Sequence, residues 1–524
     1  MTETQSDQTA AIAFLKTNAT SGRSIADDVI QTHAALVFLH ETEALKIKRA
    51  VKYDYLDFST LAQRQEMLQR EVDLNSDAAP GLYHDVVPLT RAADGTLALD
   101  GRGTIIEWVL RMTRFPAESE LSSLADRGLF DDPLANSLGH SIANYHRKAE
   151  QKGEDSRVLI LEIIEELGRE MGKMHPQLGA PLVREFLTAS GAELTRVDHL
   201  LEQRSQAGWV RRCHGDLHLR NLVMWHEVPT PFDALEFDER LGTCDVLYDL
   251  AFLLMDLSHQ KLDAAANLVL NSYLLYSATD DHYSGLSALP LYLAVRAGIR
   301  AMVDVQTAAV NDNPPELIAE ARTFLHDAIS FLKPSAPQLI AIGGLSGSGK
   351  TTVARAIAPQ VGAFPGAVHL RSDLERKAYF NVPPFEKLPA SAYQPQVSDK
   401  VYRIMRTKAQ LALAAGQAVV LDAVHATPDE RKMAEAVAAD LGCAFTGIWL
   451  DADTALRVER VGHRGQDASD ADVLVAEKQD DMQLGEMTWR QVDAGQTVSD
   501  LVAQICAGLD AKRPKKRDHQ QKNA

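Results

Sequence analysis

Apolar positions change their period along this chain, and the changes divide it. The opening residues read as helix, and strand-like apolar runs follow at ALVFLH, EALKIKRAV and TIIEWVLRM. From about Glu118 onward apolar residues recur at helical spacing, interrupted by a β-like section at LVMW and PFDALEF. Strands followed by helices predict an α+β unit with a small sheet lobe and a larger helical lobe. After the helical ELIAEARTFLHDAISFL, Pro334 and Pro337 break the pattern. From Leu339 the β-like runs LIAIGG, AVHLRSD, AVVLDA and FTGIWLD alternate with helical stretches, which predicts a parallel sheet with crossover helices. The expected division is residues 1–335, residues 336–511, and a polar basic tail, 512–524, expected to be disordered. No repeat with a period of 20–50 residues is present.

Composition narrows the function classes. The 524 residues are 45% apolar and 24% charged, as in ordinary globular chains. Lys plus Arg number 54 against 72 Asp plus Glu, a net charge of −18 that disfavours nucleic acid and anionic membranes as partners. Cys213, Cys244, Cys443 and Cys506 form no CxxC pair, which fits a reducing compartment and argues against a thiolate metal site. The start, MTETQSDQTAAIAFLK, does not read as a secretory signal. Asp249, Asp256, Arg296 and Arg300 interrupt the most apolar stretches, so no membrane span is expected. The expected location is the cytoplasm; no oligomeric state is specified.

The second half carries a specific motif. Gly344-Leu-Ser-Gly-Ser-Gly-Lys350-Thr351 satisfies G-x-x-x-x-G-K-[ST], follows an apolar strand and opens a helix. Gly347 and Gly349 let backbone N–H groups close around phosphate oxygens. Lys350 reaches the β- and γ-phosphates, and the Thr351 hydroxyl can ligate Mg²⁺. The candidate nucleotide ligands are Gly344, Ser346, Gly347, Ser348, Gly349, Lys350, Thr351 and Thr352. Downstream, Asp373 stands where a carboxylate could accept a substrate hydroxyl proton, and Arg376 where a guanidinium could hold an anionic acceptor group. Asp422 ends a strand, the place for a carboxylate acting on Mg²⁺. Arg457, Arg460 and Arg464 precede a polar loop; Arg460 and Arg464 are the candidate lid cations, and Arg457 is equally readable as a surface ion pair. Residues 338–510 resemble small P-loop kinases of the gluconate kinase, chloramphenicol phosphotransferase and zeta-toxin type, on the strength of GLSGSGKT, RSDLERK, VVLDA and the paired arginines. Nothing in them resembles a large ring-forming AAA ATPase.

The first half carries a second constellation. CHGDLHLRNLVMW contains H-G-D-x-x-x-x-N, the spacing at which Asp216 orients an acceptor hydroxyl and Asn221 turns back onto a metal ion. PFDALEF reads as the return strand of a hairpin that brings Asp233 in as the second metal carboxylate, with Glu236 and Asp238 as competitors. Asp249 in the buried helix beyond should brace the catalytic loop, and His214 and His218 should be structural. HGDLHLRN with YDLA downstream resembles the aminoglycoside phosphotransferase superfamily, which includes choline and fructosamine kinases and has protein-kinase-like architecture; the resemblance covers roughly residues 30–330. It implies a phosphate-pairing lysine at Lys46, with Lys48 as runner-up, and a partner carboxylate at Glu71, with Glu66 as the alternative. It also implies an adenine-receiving hinge in Glu107 to Met112; a glycine-rich phosphate loop is absent.

The whole chain looks like a bacterial two-domain family pairing these modules. The resulting expectation is an ATP- and Mg²⁺-dependent phosphotransferase with two nucleotide sites acting on hydroxyls of small-molecule acceptors. Two rival readings stand beside it. One is an ATP-binding regulator with an inactive N-terminal half; the other is a toxin-like or nucleic-acid end kinase, which the net charge disfavours.

Overall fold

The computed structural model describes residues 3–512 apart from Ser21, His33, Asp54, Tyr55, Asn311, Asn313, Arg464 and Gln466. Arg464 and tail residues 513–524 therefore lie outside the described residues; Lys512, assigned to the tail above, ends the helix Val498–Lys512.

The strand Glu43–Lys48 shows how local pattern builds the first lobe. Its Leu45 and Ile47 enter an apolar cluster with Ala11 and Leu15 of the helix Glu3–Leu15. Its Ala44 packs instead with Leu68 and Val72 of the helix Leu61–Asn75. Period two then sends Lys46 and Lys48 to the face shared with that helix. Thr60 and Gln63 cap the helix start reciprocally. The strand is interior to a six-stranded sheet in the order Asp28–Gln31, Ala35–Leu39, Glu43–Lys48, Thr104–Thr113, Tyr83–Arg91 and Leu97–Leu99, antiparallel throughout.

Two expectations need correction. Glu107 to Met112 are not the hinge: they lie within Thr104–Thr113, between Glu43–Lys48 and Tyr83–Arg91, and their backbone groups serve the ladders. The crossing to the helical lobe follows, at Arg114 to Pro116. PFDALEF is not a return strand either. The partner of Leu222–Trp225 is Val228–Pro231, and the chain leaves the hairpin after Phe232, whose N donates to Asn221 O (3.0 Å). Tertiary partners take over there: Asp233 N donates to the Tyr83 hydroxyl (2.9 Å) and Ala234 N to Asn75 Oδ1 (2.9 Å).

The helical lobe is built on Val246–His259, buried over nearly its whole length, and on the pair Leu289–Val310 and Pro315–Phe331. By length and composition alone Asp281–Val310 could cross a membrane, but 67% of its apolar window is buried in the lobe, where Arg296 donates to Gly215 O (3.0 Å).

The second half has five parallel strands in the order Val368–Arg371, Val419–Asp422, Gln338–Gly343, Ala444–Asp451 and Arg490–Asp493. The apolar core does not stop between the halves: Ala266, Val269 and Leu270 of the helix Asp263–Tyr276 belong to the same cluster as Val368 and Leu370. That helix also serves the free edge of Val368–Arg371. Asn267 Nδ2 donates to Pro365 O and Ala367 O (both 3.0 Å), and His369 N donates to Asn271 Oδ1 (2.7 Å). One unpaired N–H of the edge strand and two carbonyls of the turn leading into it are thus satisfied by two amides one helical turn apart.

Candidate active sites

In the first half the structure gathers five of the singled-out charges. Lys46 Nζ lies 2.6 Å from Glu71 Oε1 and 2.7 Å from Asp233 Oδ1. Lys48, the runner-up, is not a bystander: its Nζ bonds the other Glu71 oxygen and Glu236 Oε1, both at 2.6 Å. Glu66 takes no part in this network. Both lysines are buried, which by itself would lower their pKa values, yet the facing carboxylates hold them raised. Burial pushes the Glu71 carboxyl up despite the two lysines. For Asp233 burial acts the same way but is outweighed by Lys46 and Lys48, and its carboxyl is lowered. Asp233 sits at φ 60°, a left-handed backbone rare outside glycine and concentrated at functional sites. Its side chain remains 41% exposed, open to a ligand. Of its two competitors, Glu236 is occupied by Lys48, and Asp238 accepts from Arg240 N and Leu241 N in a turn.

The loop from His214 to Asn221 is held from behind. Asp249 accepts from His214 N (3.1 Å) and Gly215 N (2.9 Å) and meets His146 Nε2 at 3.1 Å, the bracing role expected of it. Its burial is outweighed by His146 and Arg296, leaving a pKa of about 2. In front, Asn221 Nδ2 donates to Asp216 O (2.9 Å) and Oδ2 (3.0 Å), and His218 Nε2 lies 3.3 Å from the same carboxylate. Burial is again overcome, here by His218, and the Asp216 carboxyl is held well below the usual range. Asn221 Oδ1 and the Asp233 carboxylate are an all-oxygen donor set, which suits a hard cation such as Mg²⁺.

In the second half Gly347 requires its glycine: φ is 86°, and a Cβ would come within 2.5 Å of Arg457 O. The helix Lys350–Ile357 begins at the loop's end, and Thr351 Oγ1 donates to Asp422 Oδ2 at 2.7 Å. Lys350 Nζ donates to Leu345 O (3.1 Å), and Ser346 N to Gln479 Oε1 (2.6 Å). Two carboxylates here are driven apart. Burial of Asp422 is outweighed by His369, Arg371 and Lys350, and its pKa falls to about 2. Burial raises Asp373, and Asp422 adds to the rise against Arg371 and Lys350. The first suits a metal ligand with Thr351, the second a base.

The arginines divide differently from expectation. Arg376 is buried and donates to Ala392 O (2.6 Å) and Ser398 Oγ (3.3 Å), so it fastens the segment Ala390–Tyr393 instead of presenting its guanidinium to an anion. Arg457 is no surface ion pair. It is buried, bonds Ala476 O (2.9 Å) and pairs with Asp480, steadying the back of the phosphate loop. Arg460 lies beside the loop, 3.4 Å from Ser348 O and 2.8 Å from Ala494 O. Sequence reasoning missed His369 and Arg371, 3.4 and 3.6 Å from Asp422 Oδ2; their alternation in VHLR, two polar residues on one face of a strand, was the available signal. It also missed Gln479, which no motif marks.

Residues 339–484 match a family model described as an AAA domain. Over 461 residues, 86% of this chain and 88% of the relative, the chain is 27% identical to the uncharacterized protein Rv2004c of Mycobacterium tuberculosis and to the uncharacterized protein Mb2027c of Mycobacterium bovis. A solved choline/ethanolamine kinase family protein from Mesorhizobium loti matches 62% of this chain and 95% of its own at 17% identity, with a TM-score of 0.38. A gluconokinase from Sinorhizobium meliloti 1021 matches 34% of this chain and 93% of its own at 22% identity, with a TM-score of 0.25. The antiparallel sheet lobe on a helical lobe, and the phosphate loop on a parallel five-stranded sheet, make this chain a protein-kinase-like domain joined to a P-loop NTPase domain.

Proposed function

We propose that the chain is an ATP-dependent phosphotransferase acting on hydroxyls of small molecules, with a nucleotide site in each half. The observation that carries this reading is the contact of Thr351 Oγ1 with Asp422 Oδ2 (2.7 Å), beside Lys350 and within reach of a second carboxylate of opposite acidity, Asp373. Thr351 and Asp422 would hold Mg²⁺, which when bound neutralises phosphate charge and orients the γ-phosphoryl group. Lys350 and the backbone N–H groups of the loop bind the phosphates, and Arg460 adds positive charge from the side. The acceptor oxygen attacks the γ-phosphorus as the bond to ADP breaks, and Asp373 takes the hydroxyl proton. In the first half Lys46, fixed by Glu71, would pair with ATP phosphates, Asn221 and Asp233 would hold Mg²⁺, and Asp216 would orient the second acceptor.

The test is transfer from radiolabelled ATP by the full chain, wild type and Lys350→Ala, Asp422→Asn and Asp216→Asn. Loss of product with Lys350→Ala or Asp422→Asn supports the P-loop site, and loss of a distinct product with Asp216→Asn supports the other. If Asp216→Asn changes no product while the first half binds Mg²⁺-ATP, that half is a regulator. No labelled product from wild type with any hydroxyl compound would overturn the reading.

A further inference from the structure

We infer that the acceptor site of the P-loop domain is shared between the halves, with the helices Asp132–Lys148 and Asp263–Tyr276 of the kinase-like domain as its far wall, and that it takes a neutral polyhydroxylated molecule. The inference rests on the phosphotransferase reading above.

The parallel sheet gives the direction. The phosphate loop follows the central strand Gln338–Gly343; Asp422 ends the next strand outward; Asp373 follows the edge strand Val368–Arg371. Ligands of such sheets lie in the crevice beyond the strand ends. A phosphoryl group held at Lys350 and Thr351 and passed to a hydroxyl facing Asp373 therefore leaves the acceptor's body beyond the edge strand. That place belongs to the kinase-like domain. One cavity of about 1280 Å³ runs from Lys350 and Thr351 past Asp422 and Asp373 to Asn136, His140 and Tyr276. The wall is held against the second half, because Asn271 bonds the edge strand at His369, Asn267 bonds Pro365 O and Ala367 O just before it, and Arg355 pairs with Asp132 at 3.0 Å.

The chemistry of the wall gives the class. Asn136, Ser137, His140 and Tyr276 are neutral groups that donate and accept, as hydroxyls require of their partners. His140 stacks on Tyr276 with ring centroids 3.8 Å apart and 24° between planes, a preformed surface. The guanidinium groups lining the cavity are already engaged: Arg355 with Asp132, Arg371 with Asp467 at 3.1 Å, and Arg376 with Ala392 O. A phosphate or carboxylate on the acceptor would have to compete with Asp132 for Arg355 and with Asp467 for Arg371.

The test uses the full chain with Asp216→Asn to silence the other site, ATP as donor, and glycerol, ribose, glucose and myo-inositol as probes beside gluconate and a nucleoside monophosphate. Transfer to a neutral polyol is expected. His140→Ala and Asn136→Ala should each raise the KM for that polyol about tenfold with the KM for ATP unchanged, and His140→Gln should recover part of the loss. Transfer only to the anionic compounds, or to none of the six while Lys350-dependent ATP turnover persists, overturns the class. An unchanged acceptor KM in both alanine variants, or a raised KM for ATP instead, overturns the shared site. Absence of any Lys350-dependent turnover is instead a failure of the phosphotransferase reading.

Discussion

Replacing Asn267 and Asn271 together by alanine should loosen the P-loop domain from the kinase-like domain. Four hydrogen bonds cross to the edge strand and the turn before it through these amides: two from Asn267, to Pro365 O and Ala367 O; one from Asn271 to Ala367 O at 3.3 Å; and one from His369 N into Asn271 Oδ1. At about 1 kcal/mol net each, with a further ~1 kcal/mol or more for the His369 N–H left without an acceptor, the loss reaches about 3–5 kcal/mol. Sharing of Ala367 O between the two amides makes the bonds less than additive and favours the lower end. At ~1.4 kcal/mol per tenfold, docking should weaken on the order of 10²–10³-fold. Urea denaturation followed by tryptophan fluorescence reads this, because Trp449 and Trp489 lie in the P-loop domain and are nearly buried. The variant should show an earlier, separate transition and faster cleavage by proteinase K, a protease of broad specificity, in the linker around Lys333 to Pro337. Superimposable denaturation curves, within about 0.5 kcal/mol, with unchanged cleavage would refute the claim that these amides hold the halves together.

Further outcomes are expected. Lys350→Ala should lower P-loop-dependent ATP turnover about 10²–10³-fold while the far-UV circular dichroism is unchanged, because one preorganised cation is lost from the transition state. Asp216→Asn should act on kcat with Mg²⁺-ATP affinity retained, whereas Asp233→Ala should weaken Mg²⁺-ATP binding and Asp238→Ala should not; calorimetric titration separates the three. The raised Asp373 carboxyl must be ionised to take a proton, so P-loop activity should fall as pH drops through a value above the usual carboxylate range. Arg371→Gln removes a charge that lowers Asp373, so a pH–rate profile should show that acid limb moved to higher pH. Glu107→Gln should destabilise the sheet lobe by about 3 kcal/mol in thermal unfolding, because it strips the buried Arg64 Nε of its charged partner at 2.9 Å.

The sequence by itself determined those parts whose chemistry is local. A phosphate loop is a run of consecutive residues between a strand and a helix, so Gly344 to Thr351 could be read directly. The pair Asp216 and Asn221 is likewise set by spacing within one loop, and Lys46 and Lys48 share a face because strand side chains alternate. Tertiary structure alone decided what depends on residues far apart in the chain. It fixed Glu71 between two lysines instead of one, and it chose Asp233 for Lys46 and Glu236 for Lys48 across more than 180 positions. It turned Arg376 and Arg457, legible only as cations, into fasteners of backbone carbonyls. It moved the crossing between lobes past the end of a strand that pattern alone could not bound. Above all it laid the helix Asp263–Tyr276 of the first half along the edge of the second half's sheet. An edge strand announces that it needs partners, but period and propensity carry no information about which distant side chains will supply them.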